Sequence, residues 1–371
     1  MNNRPTYSYI DSLKGIAVCS VIMIHSGGSG LPFIAERIIN LGDRGVQCFF
    51  LISSFLAYTS LENTFQSSPS FNFHKVISWW GKKILRLIPL YYLSILSSLL
   101  FLENHGNLYW LGSEGHVTLK NILAHLLLIH GFFPHYANSI LGVEWYLGTL
   151  VIFYIMLPFI YKYINSLKKS IISFFISLIL CLFIRKCLFL LIPAVDDSYI
   201  YECYIRTFCI FAQLPVLFMG IILFYLLKNI DIQIISARSR VLFSYALLLL
   251  SGIIIFQQAY TTPSPNSLFK FVLFGLIYSF IILSQYLYKC PLIDNVLFKT
   301  LGHFSYPIYL FHFLLLELYK KHMYLSTGNL AIDSCFRYII IVISSLIIAF
   351  MLDRYFDKPI NKWLNTIRKD N

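Results

Sequence analysis

The sequence predicts an all-α protein, a polytopic bundle of about ten transmembrane helices with both termini cytoplasmic. Three observations carry that prediction. Of the 371 residues, 58% are hydrophobic, 17% aromatic and only 12% charged, whereas soluble domains hold about 45–50% apolar and about 25% charged residues. The apolar residues gather in runs long enough to cross a bilayer. Lys and Arg outnumber Asp and Glu by 29 to 17, and they concentrate in alternate connecting segments. So few charges cannot cover a soluble particle of this size, which excludes a water-soluble enzyme, a nucleic-acid-binding module and a disordered chain. The net charge of +12 then belongs to cytoplasmic loops, which collect Lys and Arg.

A spanning helix needs about 20 largely apolar residues. The first candidate, 10–25, carries Asp11 and Lys14 and lacks a clean small-x-small cleavage site, so it is expected to be an uncleaved first helix rather than a signal peptide. Next come 46–61 and 87–102, the latter directly after Lys82, Lys83 and Arg86. Segment 103–142 is the most loop-like; its apolar patch, 122–129, is too short to cross and is expected to form a re-entrant or surface helix. Spans 145–161 and 171–184 follow, the second running into Arg185 and Lys186, and then 207–227, 241–260 and 271–288, which contain no Asp, Glu, Lys or Arg. The last two are 304–316 and 338–352. With the N-terminus inside, most Lys and Arg residues fall on the inner side; an eleventh crossing at 122–129 would spoil that bias. The whole chain, 1–371, is expected to form one membrane domain with no appended soluble domain and no internal repeat. Its eight cysteines lie mostly in apolar runs without a C-x-x-C pair, which fits packing residues better than a zinc site or disulfide framework.

Ionisable residues inside spans are costly and mark functional positions by default. The first helix holds Asp11, Lys14 and His25. Lys14 and His25 are eleven residues apart, about three helical turns, so both project from nearly one face, roughly 16 Å apart along the axis. Asp11 can pair with Lys14 three residues on. Lys83 and Arg86 share a helix face and together can hold a phosphate through charge-assisted hydrogen bonds; the plainer alternative is a positive-inside anchor. Pro89 is expected near a kink. Glu144, Trp145 and Tyr146 open a span at its outer end, where Trp and Tyr usually form an interfacial belt, and Glu144 is compatible with binding a hydroxylated ligand. Ser305, Tyr309 and His312 have i, i+4, i+7 spacing, which makes a polar stripe facing the bundle. His105, His116, His125, His130 and His135 crowd the outer segment, but no H-E-x-x-H or comparable spacing supports a metal site there.

This combination resembles the acyltransferase-3 family of integral membrane acyltransferases over nearly the whole chain. Asp11, Lys14, Gly15, Ala17 and His25 match its first-helix pattern, and Gly45–Leu56 (G-V-Q-C-F-F-L-I-S-S-F-L) matches its second block. Lys83, Arg86, Pro89 and Tyr91 fit its basic loop, and Trp145, Leu147, Phe153, Tyr154 and Pro158 its W-x-L…F-Y…P span. Gly302, Ser305, Tyr306, Tyr309, Leu310 and His312 are similar to its late segment. Five blocks in the right order are specific where each alone is weak. Three positions depart from the pattern: Lys14 replaces a more frequent Arg and so lacks the planar fork, Ser54 stands where Gly is usual, and Asp357 stands where a Glu before Pro is common.

The resemblance implies an O-acyltransferase of the bacterial inner membrane that moves an acetyl group from cytoplasmic acetyl-CoA to a sugar hydroxyl. The acceptor would be a cell-surface or lipid-linked glycan such as an O-antigen polysaccharide. Lys14, Lys83 and Arg86 would hold the donor phosphates. His25 would act as general base, or as a nucleophile forming an acyl-imidazole, with Asp11 orienting Lys14. Glu144 and Trp145 would contact the sugar, and Tyr154, Ser305, Tyr309, His312 and Asp357 would complete the substrate side. No metal, nucleic acid or other cofactor is implied, and the oligomeric state stays open. Many relatives carry an extra soluble domain; this chain ends soon after its last span and is expected to acylate its acceptor directly. A transporter or flippase of a lipid-linked glycan is the rival class, and it predicts broken helices in related halves, which the sequence lacks. Transfer of a larger acyl group such as succinyl is a third reading, with Arg37, Arg44 or Lys120 as an outer cationic pocket.

Overall fold

The structure, a computed structural model, describes residues 7–66, 72–102, 115–191, 197–261, 267–323 and 326–360. Among these residues the regular elements are all helical. The bundle begins with α1 (Ser8–Ser26), α2 (Phe33–Asn40), α3 (Gly45–Phe65), α4 (Phe73–Ile84) and α5 (Ile88–Phe101). A short α6 (Leu119–Leu126) precedes α7 (Trp145–Tyr163), α8 (Leu167–Leu190), α9 (Ser198–Cys203), α10 (Ile210–Asn229) and α11 (Ala237–Tyr260). The chain then forms α12 (Ser267–Leu287), α13 (Val296–His303), α14 (Ser305–His322) and α15 (Leu330–Leu352).

Eight of the expected spans lie in helices long and apolar enough to cross a membrane, among them α1, α7, α8, α10, α11 and α12. Expected spans 46–61 and 304–316 fall in α3 and α14, which are not among those eight. Both are lined by buried residues, and a helix walled by other helices need not be apolar all round. Burial separates the layers. The α10 region is 83% buried, whereas α11 is 11% buried and α8 17%, so α10 is a central post and the other two present their flanks to lipid. Caps explain several boundaries: Ser166 accepts from Lys169 N–H, Asn295 from Phe298 N–H and Asn329 from Ala331 N–H. Pro158 and Pro215 sit inside α7 and α10; at the first, Trp80 on α4 donates to the Tyr154 carbonyl that the proline frees.

The outer segment differs from the expected loop. Residues 115–142 are described, and they fold onto the bundle; His105 and Asp196 lie outside the described residues. The patch at 122–129 forms α6 and the turn after it. Eight residues of helix reach about 12 Å, far short of a core about 30 Å thick. The segment is pinned from three sides. Tyr92 on α5 donates to the Leu126 carbonyl. Tyr204 donates to the Gly131 carbonyl at 2.8 Å. Gly131 lies so close to Gly148 of α7 that a Cβ on it would come within 2.8 Å of the Gly148 backbone.

Candidate active site

α1 is the axis of the site, and glycine lets its neighbours approach it. A Cβ on Gly302 would lie 1.6 Å from the Asp11 carbonyl oxygen, and one on Gly15 would lie 2.1 Å from that of Phe298. Backbone therefore meets backbone where α13 crosses the start of α1, a close approach that small residues permit in membranes. At the other end Gly27 ends α1 at φ +78°, its N–H returning to Ile24 and Met23 carbonyls at 3.2 Å. That positive φ suits glycine and leaves His25 in the last helical turn.

A cavity of about 450 Å³ is sunk into the bundle at the end that carries the start of α1. Asp11, Lys14, Lys83, Arg86, Tyr154, Ser305, Tyr309 and Asp357 all line it. Lys14 Nζ pairs with Asp11 at 2.9 Å. Lys83 lies against the Trp79 ring, 5.8 Å from its centroid, while Arg86 sits in the break between α4 and α5, just before Pro89. Among the described residues neither Lys83 nor Arg86 makes an ion pair with a carboxylate, so both present positive charge to the cavity. Tyr306 donates to the Leu87 carbonyl at 2.7 Å and ties α14 to that break. Trp80 Nε1 donates to the Tyr154 carbonyl at 2.9 Å and ties α4 to α7.

Ser53, Phe49 and Asp353 also line the cavity and were not singled out from the sequence. Asp353 was legible in principle, because it is four residues from Asp357 and that spacing puts both carboxylates on one helical face. Asp353 pairs with Lys358 at 2.6 Å. A larger groove, about 840 Å³, runs along the flank of α11 between Tyr245 and Phe256; it gathers no ionisable cluster.

Deeper in, the Tyr309 hydroxyl donates to the Val143 carbonyl at 2.8 Å. The next polar ring, His312, is fully buried, 5.9 Å from the Tyr309 ring, and the His25 ring is 5.4 Å beyond it. The predicted stripe Ser305–Tyr309–His312 thus leads from the cavity to His25, which does not itself line the cavity.

The structure places several of the predicted residues away from this cavity. Glu144 does not face the cavity: it is wholly buried, and its carboxylate accepts the Ile140 N–H at 2.7 Å and the Val143 N–H at 3.0 Å. His125 Nε2 lies 3.5 Å from the same carboxylate, and His125 stacks on His130 at 4.5 Å. Burial and the neighbouring His125 push His130 well below the usual imidazole range. Trp145 stacks on Phe208 at 4.9 Å inside the bundle, and Tyr146 lines the cavity in its place, its hydroxyl 2.9 Å from Ser53. Arg44 pairs with Asp43 at 2.8 Å and stacks over Phe271, and Arg37 stacks over Phe33.

Membrane-length helices enclosing a polar, cation-lined cavity define a multi-pass integral membrane protein with a site buried in its bundle. Residues 7–354 match the family model of acyltransferase-3, an acyltransferase domain. The chain belongs to that family, and it is a membrane acyltransferase. A comparison with curated proteins finds none that matches.

Proposed function

We propose that this protein is an O-acetyltransferase of a bacterial inner membrane, taking its acetyl group from cytoplasmic acetyl-CoA and passing it to a sugar hydroxyl of a cell-surface or lipid-linked glycan. The observation that carries the reading is the convergence of Lys14, Lys83 and Arg86 on one cavity that leads through Tyr309 and His312 to His25. Cations at the cavity mouth suit the diphosphate and phosphate of CoA. The thioester arm would then extend along α1, whose Lys14-to-His25 rise is about 16 Å.

His25 acts as general base. A neutral imidazole takes the proton of the acceptor hydroxyl, the oxygen attacks the thioester carbonyl, the new C–O bond forms and the C–S bond breaks. The departing CoA thiolate takes the proton from the imidazolium, so the base is restored. Acetyl is the acyl group that the family resemblance favours; transfer of succinyl, with Arg37, Arg44 or Lys120 meeting its second carboxylate, is the alternative that NMR of the transferred acyl group separates.

His25→Ala tests the reading. The variant should insert and accumulate at near-normal levels while acetyl transfer to the surface polysaccharide is lost, measured by NMR of acetyl content against a strain lacking the gene. Substantial transfer by a well-produced His25→Ala variant would remove His25 from the chemistry.

A further inference from the structure

His312 is fully buried on α14, and its ring nitrogens are not equivalent. Nδ1 lies 2.8 Å from the Tyr309 carbonyl. A carbonyl only accepts, so Nδ1 carries the hydrogen, and in the neutral ring Nε2 is left as a bare lone pair. That Nε2 is shielded from solvent and has no hydrogen-bond partner among the described residues. Buried polar groups rarely stay unpaired, and an orphan of this kind calls for an explanation. Two polar rings adjoin it. Tyr309 has already given its hydroxyl hydrogen to Val143. His25 has not, and its ring meets that of His312 at 5.4 Å with the planes 38° apart. Phe313 stands edge-on to His25 at 5.2 Å; its own ring is seated over Gly142, where a Cβ would come within 3.0 Å of it. The charged groups around the pair are cations with partners of their own. Lys320 is bound to Glu317 at 2.7 Å, and Arg337 donates to the Ser26 carbonyl.

We propose that His312 is a positioning residue for His25: its Nε2 accepts the N–H of one His25 ring nitrogen and thereby leaves the other as the lone pair that faces the acceptor hydroxyl. The inference rests on His25 being the general base. A free imidazole divides between two tautomers, and only one of them has its lone pair toward the substrate. The buried acceptor selects that one, as an orienting group does for the base of a nucleophile–base pair. Here the orienting group is a neutral ring rather than a carboxylate. When His25 takes the hydroxyl proton, the imidazolium keeps donating to His312, and the proton leaves from the substrate side with the CoA thiolate. A gap between apo rings is no obstacle, because catalytic hydrogen bonds are often long before substrate binds.

The tautomer can be read without any acceptor. In full-length protein labelled with nitrogen-15 at histidine and held in detergent, the His25 signals are identified by their loss in His25→Ala. The wild type should show one protonated and one bare ring nitrogen for His25, a single tautomer. His312→Phe and His312→Asn should show averaged signals, and His312→Gln, which returns an acceptor near the Nε2 position, should restore the single tautomer. In transfer assays with acetyl-CoA and polysaccharide extracted from the producing strain, His312→Phe should cut kcat roughly 100-fold. KM for both substrates should stay within about twofold, and His312→Gln should recover most of the rate. If the Phe variant is not produced, the Asn and Gln variants decide by the same signals. Mixed tautomers in the wild type, or a single tautomer that survives both Phe and Asn, would overturn the proposal. So would a raised acceptor KM at unchanged kcat, which would make His312 a binding residue. Activity retained in His25→Ala would instead fail the general-base reading, while the tautomer result would still stand on its own.

Discussion

On the proposed reading, single side chains decide how the donor is held. Lys83 and Arg86 both line the cavity, whereas Lys82, the residue before Lys83, does not. Losing one charge-assisted hydrogen bond costs on the order of 1.5–3 kcal/mol, which is about tenfold to a hundredfold in affinity. Lys83→Ala and Arg86→Ala should each weaken acetyl-CoA binding by that order, and the double variant more, measured by titration calorimetry on the detergent-solubilised protein. Lys82→Ala should leave the affinity near that of the wild type. Unchanged affinity in the double variant would reduce the pair to a topology anchor. At this scale the sequence was informative about chemistry and weaker about direction. Lys14, Lys83 and Arg86 were legible because charge at the edge of an apolar run needs a reason. Glu144, Trp145 and Tyr146 are adjacent, and adjacency cannot say which of three neighbours turns inward. The helix that starts at Trp145 sends Tyr146 to the cavity and Trp145 to Phe208, and Glu144 turns back onto its own loop.

Among the elements, α13 was the least visible and is closely tied to the site. Its eight residues, V-L-F-K-T-L-G-H, are too few and too polar to read as a span, yet they lie against α1 with backbone touching backbone. Lys299 pairs with Asp294 at 3.0 Å, and Ser12 on α1 donates to the same Asp294 at 3.0 Å, so the crossing is locked by polar contacts as well as by glycine. Gly302→Ala must push the two backbones apart, and forcing an extra methyl into a packed contact costs about 1–3 kcal/mol. The variant should melt at a lower temperature in detergent and lose transfer activity, since Asp11 and Lys14 move with the contact. Gly252→Ala on α11 is the control. A Cβ there meets nothing within 4 Å, so neither stability nor transfer should fall. Equal melting temperatures for Gly302→Ala and the wild type would show that α13 yields freely and does not hold α1 in place.

The whole molecule was legible wherever the bilayer dictates composition. Runs without charge became α10, α11 and α12 because lipid leaves no alternative to a helix that satisfies its own backbone. The outer segment was not legible, because its order comes from contacts distant in sequence: Glu144 on the Ile140 and Val143 amides, His125 on His130, and Gly131 against Gly148. The proposed function depends on the sidedness of this arrangement, since it requires donor phosphates to meet Lys83 and Arg86 from the cytoplasm while a surface glycan approaches from outside. With α6 too short to cross and α7 and α8 each crossing once, Lys120 and Ser198 are expected on one side of the membrane and Lys168 on the other, and a cytoplasmic N-terminus puts the first two outside. All three positions are exposed. All eight cysteines are free thiols, so a cysteine-free background can be made without breaking a crosslink. In that background Lys120→Cys and Ser198→Cys should react with a membrane-impermeant thiol reagent in intact cells, and Lys168→Cys only after lysis. Labelling that puts Lys120 and Ser198 on opposite sides would make 122–129 a true crossing. It would also move every group downstream of it to the other face of the membrane, and Ser305 and Asp357 could then no longer share a cytoplasmic cavity with Lys83.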